Sequence, residues 1–288
     1  MTNLLYAVGT GLGHLVRARA FAHGHGIPLH VFTTHPHASM VLGAVPHTVV
    51  PDALRQDGAA LRAALDQTIA TQQAQQVILD VFPAGIRGEL RGFTPPNGTV
   101  SLLARRLRTP PDDGGPPIAT AYLCEHLDDW QHQWLTQRSV HQVPARLVDP
   151  PATLPSALDR WLDDAQGPLW AVVHSGPQAE LELLIHHARD DAFARGQSPT
   201  LLVIHPSSAP IPGATTLNIH PAWPLFSRVD RVVGGAGFNL VRQCLAAGVD
   251  FLPIPLPRRF DDQPGRARAF RHSHTSGNRP ALGRRPPH

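Results

Sequence analysis

The sequence contains no lysine, so all 25 of its basic residues are arginine. That reflects overall composition, and no function is assigned to it. Six of these arginines fall in 264–288, a stretch with no acidic residue. Without them the balance is 19 basic residues to 22 acidic, a net charge of −3. The pI near 9.5 therefore belongs largely to the tail, and the body of the chain is not a nucleic-acid platform. Cysteine is scarce as well, limited to Cys124 and Cys244. Two distant cysteines in apolar contexts exclude a finger-type zinc site and read as reduced core thiols of a cytoplasmic protein. No run approaches the roughly 18 apolar residues of a membrane-spanning helix. Residues 2–8 lack the basic start and small-residue cleavage site of a signal peptide, so none is expected.

What is present suits two domains of ordinary size: 288 residues, 42% of them hydrophobic. In the first half, short apolar strand patterns lie near 4–8, 29–33, 47–50, 76–80, 99–104, 118–123 and 139–143. Helical patterns lie at 15–22, 38–42, 57–75 and 128–137. On the first of these helices Arg17, Arg19 and His23 are expected to face outward. The second half repeats the logic, with strands at 169–174, 200–205, 214–219, 231–233 and 251–254 and an amphipathic helix at 178–194. Such alternation predicts α/β domains built on parallel sheets with helices on both faces. The expected boundaries are a first domain at 1–145, a proline-rich linker at 146–155, a second domain at 156–263 and a disordered basic tail at 264–288.

Two glycine turns stand out. Gly9-Thr-Gly-Leu-Gly-His14 follows the first strand. Gly234-Gly-Ala-Gly-Phe-Asn239 follows the strand at 231–233 and opens a helix marked by Leu240, Val241, Cys244, Leu245 and Ala247. A glycine turn that opens a helix aims backbone N–H groups and the positive end of the helix dipole outward, an arrangement suited to a diphosphate. The competing reading is a tight turn with no ligand. Asp80, Arg87 and Glu89 come directly after the fourth strand, at the carboxyl edge where α/β proteins place their crevice. His174-Ser-Gly176 and 205–208 either touch a phosphate or simply turn the chain after a strand.

Three segments in this order carry a resemblance to the GT-B glycosyltransferases. Gly9–His14 is similar to the N-terminal loop of the transferase that adds N-acetylglucosamine to the peptidoglycan lipid intermediate. The segment from Gly234 to Gly248 is similar to that family's donor-binding motif, and Asp261-Asp-Gln263 to its aspartate-glutamine pair. Asp80-Val-Phe-Pro83 and Arg258-Arg-Phe-Asp-Asp-Gln263 resemble segments of the bacterial "predicted glycosyltransferase" group. The resemblance implies two Rossmann-like doubly wound domains facing each other across a cleft. The second would hold a nucleotide-sugar donor, UDP-linked, and the first a small-molecule or lipid acceptor. It implies no cofactor and no metal: backbone N–H groups of Gly234, Gly235, Ala236, Gly237 and Phe238, with Asn239, would take the diphosphate. Asp262 and Gln263 would hydrogen-bond sugar hydroxyls, the alternative being a helix N-cap. Arg242 is either a cation at the phosphates or a solvated charge. His14 is the candidate general base, or else a capping or core histidine. Its carboxylate partner is left open between Asp80 and Glu125. Gly11, Gly13 and Asp80 would lie on the acceptor side. Contact with a membrane surface stays open.

Two departures accompany the resemblance. Gln243 stands where the family has a glutamate gripping both ribose hydroxyls, and loss of that charge-assisted pair would cost about 1–2 kcal/mol of donor affinity. Beyond Gln263 the family continues through further helices, whereas here only 266–270 keeps a helical composition. The implied activity is inverting sugar transfer, with a catalytically impaired sugar-nucleotide-binding relic or a nucleotide-sugar epimerase as the alternatives. An NAD-type enzyme is disfavoured, because no acidic residue ends the second strand at 29–34.

Overall fold

The computed structural model describes residues 2–95, 98–206 and 210–275, with side chains to 272. The chain divides into two compact units, Met1–Pro151 and Ala152–His288. The division falls inside the proline-rich stretch.

Unit 1 carries seven strands: β1 (Thr2–Tyr6), β2 (Leu29–Thr33), β3 (His47–Val49), β4 (Ala74–Asp80), β5 (Thr99–Ala104), β6 (Thr120–Leu123) and β7 (His141–Pro144). They form one sheet in the order β3-β2-β1-β4-β5-β6-β7, and every pair is parallel. Helices α1 (Gly13–His25), α2 (Ala38–Leu42), α3 (Gly58–Gln72) and α4 (Asp129–Gln137) complete the unit. The period-2 pattern of the strands explains the two layers. Leu4, Tyr6 and Val8 join Leu61, Leu65 and Ile69 of α3 in one core. Leu5 and Ala7 join Leu15, Ala18 and Phe21 of α1 in the other. Each fully buried side chain of this kind contributes about 1.5–3 kcal/mol, which fixes the register of a sheet buried on both faces.

Unit 2 repeats the plan. It runs α5 (Ser156–Asp164), β8 (Leu169–Val173), α6 (Gln178–Ala194), β9 (Thr200–Ile204), β10 (Thr215–Leu217), β11 (Arg231–Gly235), α7 (Phe238–Ala247), β12 (Asp250–Ile254) and α8 (Gln263–Thr275). The sheet order is β10-β9-β8-β11-β12, again all parallel. Trp170, Val172, Leu201 and Val203 pack with Leu181, Leu184 and Ile185 of α6. Leu169, Ala171, Leu202 and Val232 pack on the opposite side with Leu162, Val241, Cys244 and Phe270. Both units are therefore doubly wound α/β sheets.

The sequence expectations need correction at three places. Helix α5 was not anticipated; it directly follows Pro155, and Leu158 and Leu162 turn into the core of unit 2. The tail expected to be disordered from 264 begins as helix α8, held by buried Ala267 and Phe270. The remainder of that tail, 276–288, lies outside the described residues. Arg17 and Arg19 do not face outward: they are 2% and 8% exposed, because α1 is covered by both the sheet and α2.

Candidate functional site

Each sheet has one topological switch point, where successive connections leave in opposite directions and a crevice opens at the carboxyl ends. In unit 1 it lies between β1 and β4, and in unit 2 between β8 and β11.

At the first switch point His14, in the opening turn of α1, meets Asp80, the last residue of β4. The Asp80 Oδ2 lies 2.5 Å from His14 Nδ1. Arg17, one turn along α1, donates from Nε and Nη2 to the two oxygens of the same carboxylate at 2.6 and 2.7 Å. The Asp80 side chain is fully buried and that of His14 is 16% exposed. Burial alone would raise the Asp80 carboxyl, but Arg17 and then His14 outweigh it and hold it well below the usual carboxylate range. An ionised Asp80 only accepts, so Nδ1 of His14 carries the proton between them, and in the neutral ring the lone pair then lies on Nε2. The ring lies over Gly9, where a Cβ would fall 2.3 Å from Nε2; only glycine fits there. Between the two carboxylates left open by the sequence, the structure selects Asp80. Glu125 instead accepts the Arg106 N–H at 3.0 Å.

Backbone geometry next to Asp80 is unusual. Val81 has φ of +76°, and the Phe82 N–H bonds back to the Asp80 carbonyl at 3.0 Å. A β-branched residue in this tight turn is strained, and strain of this kind concentrates at functional positions. Of the other predicted acceptor-side residues, Gly11 is exposed with open space around it and Gly13 opens α1.

At the second switch point the glycine turn is shorter than expected. Gly234 and Gly235 belong to β11 and pair with Pro253 and Ile254. Their lack of a side chain serves packing: a Cβ on Gly234 would meet Leu240 at 2.4 Å, and one on Gly235 would meet Leu256 at 3.0 Å. The Ala236 N–H, expected among the phosphate donors, is committed to the Ile254 carbonyl at 2.9 Å. What faces the crevice is the start of α7. Its N-cap, Gly237, offers no side-chain cap, and its first turn has no acidic residue. Phe238 is buried at the head of the helix, while Asn239 and Gln243 follow one turn apart on one face, both half-buried. Arg242 is also half-buried.

Gln263 reaches the turn but is itself buried, 5% exposed. Its Oε1 accepts the Leu256 N–H at 3.0 Å, and its Nε2 lies 3.9 Å from where a Gly237 Cβ would be. Asp262 accepts the Gly265 N–H at 3.1 Å and thereby caps α8. Both residues therefore hold the frame of the turn. Arg266, which composition assigned to a disordered tail, was missed. It is 5% exposed and donates to the Ala236 carbonyl at 2.9 Å and to Asp261 at 3.0 Å.

The loop after β8 lies across this switch point. His174 Nε2 is 3.1 Å from Glu180, whose two oxygens accept from Arg258, both at 2.6 Å. Burial pushes the His174 imidazole down, with Glu180 partly opposing. His205 Nε2 contacts the Gly176 carbonyl at 3.0 Å; Ser207 and Ser208 lie outside the described residues. Among the described residues no three His, Cys, Asp or Glu side chains group in a way that could hold a metal. No helix among them is long and apolar enough to cross a membrane.

The spinosyn forosaminyltransferase SpnP superposes with a TM-score of 0.60 at 16% identity, over 94% of this chain and 83% of that one. The Streptomyces sp. SF2575 glycosyltransferase SsfS6 complexed with thymidine diphosphate gives 0.62 at 14% identity, over 95% and 86%. The chain has the fold of the GT-B glycosyltransferases. That fold also holds an epimerase: UDP-GlcNAc 2-epimerase from Neisseria meningitidis, bound to UDP-GlcNAc, is similar with a TM-score of 0.57 at 9% identity, over 96% and 92%. No protein-family model and no curated protein matches the sequence.

Proposed function

We propose that the chain is a metal-independent, inverting glycosyltransferase that moves a sugar from a nucleoside-diphosphate donor to an acceptor hydroxyl. The observation that carries this reading is the His14–Asp80 pair at the switch point of unit 1. With Asp80 fixing the proton on Nδ1, His14 Nε2 takes the proton of the acceptor hydroxyl. The oxygen then forms a bond to the anomeric carbon as the bond to the diphosphate breaks, and the electron pair leaves on the phosphate oxygen. Asp80 stabilises the imidazolium that results. The start of α7 meets the charge that develops on the leaving diphosphate, through backbone N–H groups and the helix dipole. SsfS6 binds thymidine diphosphate and the epimerase binds UDP-GlcNAc; both are nucleoside diphosphates, which supports that class of donor here. The two free cysteines fit a cytoplasmic setting.

The test uses the full chain with UDP- and TDP-sugars and a panel of hydroxyl acceptors, in the presence of a chelator. Release of nucleoside diphosphate with formation of a glycoside is expected. Both His14→Ala and Asp80→Asn should lower the rate at least about 100-fold while leaving donor binding by calorimetry intact. A full rate in His14→Ala removes the base from the mechanism. Interconversion of the donor sugar without transfer would favour the epimerase reading, and binding without turnover the relic.

A further inference from the structure

Four arginines line one open cleft of unit 1, about 470 Å³ in volume, that the mechanism above does not use. Arg55 comes from the 3-10 helix Asp52–Gln56, Arg62 from α3, and Arg87 and Arg91 from the loop after β4. The walls are built rather than accidental. The guanidinium of Arg62 stacks 4.3 Å from the centroid of the Phe93 ring. The loop carrying Arg87 and Arg91 is folded around Glu89, which accepts from the Tyr6 hydroxyl at 2.7 Å, the Ile86 N–H at 3.2 Å and the Arg87 N–H at 2.8 Å. Burial and Glu89 push the Tyr6 phenol up, so it stays protonated and donates.

Among the described residues Glu89 is the one carboxylate in the wall, and its oxygens accept from these three donors. Arg55, Arg62 and Arg91 pair with Asp52, Asp66 and Asp112, none of which lines the cleft. Those carboxylates are 56%, 48% and 34% exposed, and exposed pairs of this kind hold weakly and yield to a better partner. Among the described residues the Arg87 guanidinium is met by the neutral Gln56 amide and by no carboxylate. A phosphate offers several strong acceptor oxygens in the geometry a guanidinium fork prefers, and it relieves the crowding of like charges. The cleft lies on the carboxyl edge of the sheet that also carries the His14–Asp80 pair, with Tyr6 at the end of β1 bonded to Glu89 in its wall. Its loop begins right after Asp80, and the imidazole of His35 feels Arg55 and Asp52 as well as His14.

We propose that this cleft binds a phosphate group carried by the acceptor, with Arg87 and Arg62 as its principal contacts. The word acceptor rests on the transferase reading; the anion site itself does not.

The experiment titrates the full chain with inorganic pyrophosphate while following arginine Nε–H signals by NMR. In parallel, the chain is sedimented with phosphatidylcholine vesicles with and without phosphatidic acid. Shifts at Arg55, Arg62, Arg87 and Arg91, with the affinity read at these signals lowered at least tenfold in Arg87→Gln and in Arg62→Gln, are expected. Arg87 is exposed, so its replacement leaves the fold intact, and unchanged binding of nucleoside diphosphate serves as the control. Vesicle binding that needs phosphatidic acid and is lost in Arg87→Gln assigns a lipid source to the phosphate. Pyrophosphate binding alone assigns a soluble one. No shift at these arginines, or affinity unchanged in both variants, overturns the proposal. If the cleft binds phosphate but no sugar is transferred, the transferase reading fails and the site stands. If transfer occurs and Arg87→Gln leaves both the acceptor KM and pyrophosphate binding unchanged, the site fails and the reading stands.

Discussion

At the scale of single residues, the buried charges of unit 1 are the most exacting feature. Asp80 is shared by an imidazole and a guanidinium, and all three groups are mostly or wholly out of water. Arg17 neutralises the carboxylate that would otherwise be the dominant charge beside His14. Replacing it with methionine keeps the bulk but leaves Asp80 ionised with one partner, or forces it to take up a proton. Removing one member of a buried pair costs about 3–5 kcal/mol, so Arg17→Met should lower the denaturant midpoint of unit 1. Arg17→Lys, a point charge without the fork, should recover only part of the loss. Paired melts of the two variants check this, and equal stability of Arg17→Met and the parent would contradict it. This centre was half legible in the sequence. His14 and Asp80 were each marked by position, one in a glycine loop and one at a strand end. Their pairing was left open between Asp80 and Glu125, because 66 residues separate His14 from Asp80 and only the sheet order brings β4 beside β1. Arg17 was placed on the wrong side of its helix, since a charged residue on a short helix normally faces water and no one-residue signal reveals a buried partner.

At the scale of elements, the glycine turn of unit 2 shows how one motif can serve packing and binding together. Gly234 lies inside β11, where an added Cβ would meet Leu240 at 2.4 Å and the Val173 carbonyl at 3.0 Å. The leucine tip can move; the neighbouring strand cannot. Gly234→Ala should therefore cost about 1–3 kcal/mol by overpacking. Gly11→Ala, with nothing within 4 Å, should stay within about 0.5 kcal/mol. Differential scanning calorimetry of both variants measures the contrast, and a neutral Gly234→Ala would return that glycine to a purely ligand-facing role. Most strands and long helices were legible because period-2 and period-3.6 apolar patterns are strong in a sheet buried on both faces. Helix α5 was hidden by the prolines before it. Of helix α8 only the stretch 266–270 was legible, inside a tail otherwise read as disordered, and nothing in its composition shows that Arg266 is a buried tie to the Ala236 carbonyl. Asp262 and Gln263 were located by motif, and each accepts a backbone N–H of the protein, Asp262 from Gly265 and Gln263 from Leu256.

At the scale of the whole molecule, the response to acid follows from which histidines are buried. His25, His30 and His35 in unit 1 and His174 in unit 2 all have their imidazoles pushed below the ordinary value. Burial is the leading cause in each, with neighbouring Arg146, His47, His37 and Arg55 adding to it in unit 1. In the unfolded chain these groups titrate near pH 6.5. Below that value the unfolded state binds more protons than the folded one, so stability falls as pH falls. The contribution is fully present above about pH 6.5 and is lost as pH drops through the lower folded values. Asp80 and Glu180 act in a second, more acidic window. Arg17 and His14 overcome burial to depress Asp80, and the Arg258 hydrogen bond leads the depression of Glu180. Their contribution is held above about pH 4 and lost below it. Thermal melts across a pH series should therefore be level above about pH 7, decline below about 6.5 and decline again below about 4. His174→Gln, which removes the one buried imidazole of this set in unit 2, should flatten the first decline for that unit, as read by hydrogen exchange along β8, while β1 and β2 keep theirs. A melting temperature that rises between about pH 7 and pH 5.5 would show that these imidazoles are charged in the folded state, and the assignment of burial as the dominant force on them would fall.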